Sequence, residues 1–181
     1  MENKMFLIRE MYDSMSYNFH NELCGFIEEE NSLLVGCRRC GKTTIAIIDA
    51  LSEALTTDGI RIGFYTDNGT NRLKVDLIKN TCEIFGIDYS IDIMNHSIIL
   101  SNGSVIQAIN KDQTRGRRYD YVIADVCVLT EFDYRDICHI SLGRYRLIIN
   151  SQNSFTYKYK NDNPDKVFSL VWNNLVSGEW W

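Results

Sequence analysis

The octet Gly36-Cys37-Arg38-Arg39-Cys40-Gly41-Lys42-Thr43 fits the phosphate-loop pattern G-x-x-x-x-G-K-[ST]. Few short sequences restrict a fold so far. The loop functions between a strand and a helix, where backbone N–H groups and the helix N-terminus converge on phosphate oxygens. The flanking residues supply that setting. Ser32-Leu33-Leu34-Val35 reads as a short apolar strand. From Lys42 to Thr57, residues Ile45, Ala46, Ile47, Ile48, Ala50, Leu51, Ala54 and Leu55 predict a buried helix that stops at Asp58-Gly59. Gly36, Arg38, Arg39, Cys40, Gly41, Lys42, Thr43 and Thr44 are thus the candidate nucleotide contacts. In this motif Lys42 reaches the β- and γ-phosphates and the Thr43 hydroxyl ligates Mg²⁺.

A second loaded segment is Tyr119 to Val128, Tyr-Asp-Tyr-Val-Ile-Ala-Asp-Val-Cys-Val. Its apolar run suits a central parallel strand covered on both faces. Asp125, expected at the end of that strand, is the Walker B candidate for holding Mg²⁺, directly or through a water. Arg144 to Ser151 reads as another central strand, and Asn150 or Ser151 at its polar end is placed to sense the γ-phosphate. Arg61 to Thr66 is a further strand, and Asn71 to Phe85 an amphipathic helix with Leu73, Leu77, Ile78 and Ile84 on its apolar side. Ile98-Ile99-Leu100 and Val105-Ile106 flank an Asn102-Gly103 turn and predict a β-hairpin. Residues 1–30 read as a helical lead-in, 152–163 as a polar connection, and 165–177 as a closing helix with Phe168, Val171 and Trp172 on one side. The fold class expected is α/β: a three-layer P-loop NTPase with a mainly parallel central sheet and an added hairpin, in one domain spanning 1–181.

Bulk properties agree with one globular domain. The 181 residues are 45% hydrophobic and 24% charged, and no apolar run is long enough to span a membrane. The N-terminus lacks a signal-peptide pattern, so an intracellular location is expected. The net charge of −5 excludes a dedicated nucleic-acid coat, so any DNA contact must be a local patch. Lys111 with Arg115-Gly116-Arg117-Arg118 is either that patch or a solvated loop. Of the six cysteines, Cys37 and Cys40 alone form a C-x-x-C; without a second pair they suit free thiols rather than zinc ligands, with oxidation of that pair a means of blocking the loop.

Several of these motifs together resemble the N-terminal ATPase domain of the large terminase subunit, the DNA-packaging motor of tailed bacteriophages. The likeness covers roughly residues 30–180. It rests on Arg38-Arg39-Cys40-Gly41-Lys42-Thr43, the hairpin Asn102-Gly103-Ser104, the Arg115-Gly116 step, Ile148-Ile149-Asn150-Ser151 and Val167 to Trp172. The resemblance implies an ATP- and Mg²⁺-dependent motor that works as a homo-oligomeric ring and drives double-stranded DNA through a capsid portal. It implies host-cell cytoplasm as the location, and a separate nuclease or small terminase subunit as a further partner. It gives Arg38 a role at the transferring phosphoryl group, makes Arg115 or Arg117 a residue acting on a neighbouring subunit or on DNA, and assigns Asn150-Ser151 to coupling.

Three departures qualify that picture. The Walker B aspartate is normally followed by a glutamate that polarises water; here Val126 follows Asp125. General-base work is worth about 10²–10⁴-fold, so the chain is expected to bind ATP and hydrolyse it weakly unless Glu131 substitutes. Glu131 is read either as that base or as a cap of the helix starting near Thr130. Large terminases also continue into a nuclease domain, whose acidic cluster is not found here, so nuclease activity is not expected. The family's upstream glutamine is missing from residues 1–35, leaving Asn21, Tyr17 or Phe19 for the adenine. The alternative function is a degenerate nucleotide-binding module with a structural or regulatory role.

Overall fold

A computed structural model describes residues 2–14, 21–36 and 40–170. Helices α1 (Glu2–Ser14) and α2 (Asn21–Glu28) lead into β1 (Ser32–Gly36) and α3 (Lys42–Thr56). Then follow β2 (Arg61–Thr66), α4 (Asn71–Phe85), β3 (Tyr89–Asp92), β4 (Ser97–Leu100) and β5 (Val105–Ile109). The remainder is β6 (Tyr121–Val128), α5 (Glu131–Ile140), β7 (Tyr145–Ser151), α6 (Ser154–Asp162) and β8 (Val167–Leu170).

The eight strands form one sheet in the order β3-β4-β5-β2-β6-β7-β1-β8. The run from β5 to β8 is parallel, and β3 and β4 are added antiparallel at one edge. Strand alternation sends successive side chains to opposite faces, and each face has its own core. Leu34, Ile62, Phe64, Ile123 and Ile148 pack under α1–α4, with Ile45, Ile48 and Leu51 of α3 at the centre. Leu33, Tyr65, Val122, Ala124, Leu147 and Ile149 pack under α5 and α6. The α/β three-layer reading therefore holds, and the expected hairpin is the β4–β5 pair extended by β3.

Three expectations are corrected. Residues 152–163 are not an irregular connection. Asn153 caps α6 by accepting from the Thr156 N–H at 3.0 Å while the Thr156 hydroxyl accepts from the Asn153 N–H at 2.7 Å, and Tyr159 is buried. That reciprocal cap stabilises a short helix that has little apolar periodicity. The closing helix is also not formed where expected. Pro164–Lys166 is a 3-10 turn, and Val167–Leu170 pairs in parallel with β1. Phe168 belongs to this strand and packs edge-on against Phe26 of α2 with ring centroids 6.1 Å apart. β-branched and aromatic residues beside a vacant sheet edge favour the ladder over a helix. Val171, Trp172 and the rest of that segment lie outside the described residues. On α4, Val75, Ile78 and Cys82 form the buried face, whereas Leu73 and Ile84 are exposed.

One buried charge cluster fixes α3 against the sheet. Asp49 and Arg146, 1% and 4% exposed, form an ion pair at 2.9 Å, and the Tyr121 hydroxyl donates to Asp49. The Arg146 Nε donates to the Phe26 carbonyl at 3.1 Å, which carries the tie on to α2. Lys4 of α1 reaches Asp49 at 3.0 Å. Burial alone would raise the Asp49 pKa; Arg146 first, then Lys4, overcome it and hold the carboxyl at about 2, below the ordinary 3.8. A depressed carboxylate contributes stability that is complete above its unfolded pKa and is lost as pH falls toward the folded value. Urea unfolding between pH 5 and pH 2 is therefore expected to show a steeper loss of stability in the natural chain than in Asp49→Asn. At neutral pH, Asp49→Ala is expected to cost about 3–5 kcal/mol, because it leaves the Arg146 charge buried without its counter-ion. Joint replacement with Arg146→Met should recover part of that loss.

Candidate phosphate-loop and metal site

The site lies at the carboxyl ends of β1, β6 and β7, where an open α/β sheet exposes strand ends and helix N-termini. Gly41 caps α3 in the left-handed region, at φ 76° and ψ 8°, and its carbonyl accepts the first helical hydrogen bond, from Ile45 at 3.0 Å. A side chain is strained in that region, so the second motif glycine is needed for its backbone. Lys42 is buried, and its ammonium donates to the Gly36 carbonyl at 2.7 Å and to Cys40 Sγ at 3.2 Å. The lysine thus lies across its own loop. Thr44 is half-buried on the first turn of α3. Cys37, Arg38 and Arg39 lie outside the described residues.

The parallel register brings Asp125 over that turn. The Thr43 hydroxyl donates to Asp125 Oδ2 at 2.7 Å across 82 residues of sequence. Asp125 is 6% exposed. Octahedral Mg²⁺ binds oxygens at 2.0–2.1 Å, which puts adjacent ligand oxygens about 2.9 Å apart. A hydroxyl and a carboxylate oxygen at 2.7 Å therefore match one edge of such a shell. The donor set is hard oxygen, as Mg²⁺ requires, and water would complete it. Among the described residues, no group of three or more His, Cys, Asp or Glu is placed to hold a metal ion, at this site or elsewhere.

Asp125 does not end its strand. β6 continues through Val126, Cys127 and Val128, and Val126 is paired with Ile149 of β7. Strand alternation therefore turns Val126 to the face opposite Asp125, where it is 3% exposed in the core under α5. Glu131 is the first residue of α5 and is exposed, with its carboxylate bonded to Arg135 at 2.8 Å. The reciprocal cap of α5 is made by Thr130 with Asp133, not by Glu131. Asp133 also accepts from the Tyr65 hydroxyl at 2.8 Å; burial first, then this carboxylate, push the tyrosine pKa up.

The other expected residues are distributed around this centre. Asn150 is half-exposed at the end of β7, with its amide 3.5 Å from Cys127 Sγ. Ser151 is paired with Val128. Arg115 is exposed on a turn before β6; Arg117 Nη1 lies 3.5 Å from the Tyr119 hydroxyl, and Arg118 donates to the His139 carbonyl. Within this chain, Arg117 and Arg118 are thus engaged with Tyr119 and His139 rather than with Thr43 or Asp125. Cys24, Cys82, Cys127 and Cys138 are free thiols.

Two residues beside the site carry no motif signal. Lys74, on the first turn of α4, donates to Asp125 Oδ2, the oxygen that Thr43 uses. Asp67, just past β2, accepts from the Cys127 N–H at 3.0 Å and lines a depression of about 250 Å³ with Tyr65, Lys111 and Val126. A larger cavity of about 580 Å³ lies away from the loop, beside Lys4, Glu53, Arg144 and Arg146. Its charges neutralise one another, with Lys4 and Arg144 both on Glu53, at 2.5 and 2.9 Å. It belongs to the clamp on α3 and is a poor match for an anionic ligand.

No family model matches the sequence, and no curated protein matches it. Solved structures do. The large terminase from a thermophilic bacteriophage, in complex with ADP, superposes with a TM-score of 0.63 at 11% identity, over 84% of this chain and 45% of that one. The same terminase with ATP-gamma-S gives 0.62 at 12% identity, over 85% and 44%. The large terminase ATPase domain of Thermus phage P74-26 gives 0.58 at 15% identity, over 90% and 83%. The chain has the fold of these ATPase domains and spans less than half the length of the first of those terminases. Among the described residues, no helix is long and apolar enough to cross a membrane.

The Gly41 backbone offers a check on the loop without any ligand. Gly41→Ala is expected to cost about 1–2 kcal/mol in urea unfolding, the strain of a Cβ in the left-handed region. An unchanged midpoint would mean that the loop does not need this conformation.

Proposed function

We propose that the chain is the ATP-binding motor domain of a large-terminase-type DNA-packaging machine. The observation that carries this is the Thr43–Asp125 contact beside Lys42, which joins phosphate loop and Walker B aspartate in one oxygen-rich site. The fold likeness adds support, since one of the structures it matches holds ADP and another ATP-gamma-S.

In this reading Lys42 leaves the Gly36 carbonyl and turns to the β- and γ-phosphates, while the N–H groups at the start of α3 face the phosphate oxygens. Thr43 and Asp125 hold Mg²⁺, which when bound neutralises charge on the phosphates. Arg38 stabilises charge on the transferring group, with Gly36, Arg39, Cys40, Gly41 and Thr44 as loop contacts. Asn150 and Ser151 link nucleotide state to motion at the β6–β7 ends. Residues 1–181 act as one ATPase unit in a homo-oligomeric ring. There Arg115 or Arg117 acts on a neighbour's nucleotide or on double-stranded DNA, with a capsid portal and a nuclease or small terminase subunit as partners in the host cytoplasm.

A second reading has its own support. Val126 is buried on the face opposite Asp125, and Glu131 is held by Arg135. Val126 has no group that could orient water, and Glu131 is bonded to Arg135 rather than to Thr43 or Asp125, which favours a module that holds nucleotide and turns it over slowly. The two readings share the binding site and differ in hydrolysis. Calorimetric titration with ATP and Mg²⁺ is expected to show binding that Lys42→Ala weakens at least about tenfold, the loss of a charge-assisted contact to phosphate. Steady-state hydrolysis with added double-stranded DNA then separates them. Stimulated turnover supports the motor, and absence of turnover with DNA and portal present supports the binding module. A fall in turnover in Glu131→Ala would assign that residue as the base.

A further inference from the structure

The carboxylate that fits Mg²⁺ already has a cation on it. Lys74 Nζ bonds Asp125 Oδ2, and the Thr43 hydroxyl bonds the same oxygen. Both charged groups are largely buried, with side chains 12% and 6% exposed. A carboxylate removed from water requires a counter-charge, and here the ammonium provides it. The position of Lys74 is costly in another respect. It lies in the first turn of α4, whose cap is Thr70, at the end where the helix dipole disfavours a cation. Its ammonium also lies 6.0 Å from the centre of the Phe64 ring, so the stem runs over β2 toward β6.

A divalent ion held by Thr43 and Asp125 would meet this ammonium at contact distance. Two like charges on one oxygen in a partly dehydrated site repel strongly. Metal and ammonium therefore exclude one another. We propose that Lys74 is the resident counter-ion of the metal-binding carboxylate, so that Mg²⁺ enters this site only by displacing the Lys74 side chain from Asp125. Lys74 thereby sets the metal affinity of the site and ties the first turn of α4 to its loading state. This rests on the assignment of Thr43 and Asp125 as metal ligands.

The probe is Mn²⁺ added to the nucleotide-free protein, with bound ion read by electron paramagnetic resonance. Lys74→Met keeps the length of the stem and removes the charge; it is expected to bind Mn²⁺ about tenfold more tightly than the natural chain. Lys74→Arg keeps the charge and should stay near the natural value. Asp125→Asn should lose binding in either background. If Lys74→Met does not fold, as judged by circular dichroism, Lys74→Gln is read in its place. Equal or weaker Mn²⁺ binding by the folded neutral variant would overturn the proposal, since Lys74 would then be a structural partner that the metal does not displace. Calorimetry with ADP and Mg²⁺ on the natural chain keeps the two failures apart. Nucleotide binding that is lost in Lys42→Ala, with Mn²⁺ affinity unchanged by Lys74→Met, leaves the site assignment standing and removes only the role of Lys74. Absence of nucleotide binding by the natural chain, together with Mn²⁺ binding insensitive to Asp125→Asn, removes the site assignment itself.

Discussion

The Asp125 carboxylate is the point on which the arrangement of the site depends. It projects from the central strand of the sheet and is almost fully buried. One of its oxygens takes the Thr43 hydroxyl and the ammonium of Lys74 together. Three elements far apart in sequence, α3, α4 and β6, therefore meet at a single atom. A buried anion cannot be left uncompensated, so each of these elements has to stay close to its place for the others to be satisfied.

That meeting point depends on a second one behind it. The Asp49–Arg146 pair holds α3 against β7, and Arg146 Nε extends the tie to α2 through the Phe26 carbonyl. The helix that carries Lys42 and Thr43 is thus fastened by a charge cluster near its middle and by Asp125 at its start. At the other side, Asn71 of α4 donates to Gln113 at 2.7 Å, in the short turn that precedes Arg115. The first turn of α4 is therefore shared between the Asp125 carboxylate and the segment carrying the exposed arginines. A change at Asp125 has a short physical route to that segment, through one helical turn and one side-chain hydrogen bond.

The legible parts of the sequence were those with a strong local signal. The octet from Gly36 to Thr43 required a strand before it and a helix after it, and both are there. The apolar run before Asp125 gave a central strand, and Asn102-Gly103 gave the turn between β4 and β5. What was illegible depended on partners distant in the chain. Val167 to Leu170 becomes a strand because the edge of β1 is vacant beside it. α6 is held by the reciprocal Asn153 and Thr156 cap rather than by an apolar face. Lys74 looked like one lysine on an amphipathic helix, since nothing nearby in sequence says that a carboxylate 51 residues later will face it. Val126 was legible as a missing glutamate, but its turn to the opposite face depends on β6 running on past Asp125.

If the site works in this way, one oxygen of Asp125 exchanges a resident ammonium for a metal ion when nucleotide is loaded on the 36–43 loop. A crystal structure with ATP-gamma-S and Mg²⁺ would reveal the exchange at the atom concerned. The expected result is phosphates over the loop with Lys42 turned toward them, the metal on Thr43 and Asp125, and Lys74 Nζ withdrawn from Asp125. Nucleotide bound away from the loop, or Lys74 still bonded to Asp125 beside a bound metal, would contradict it.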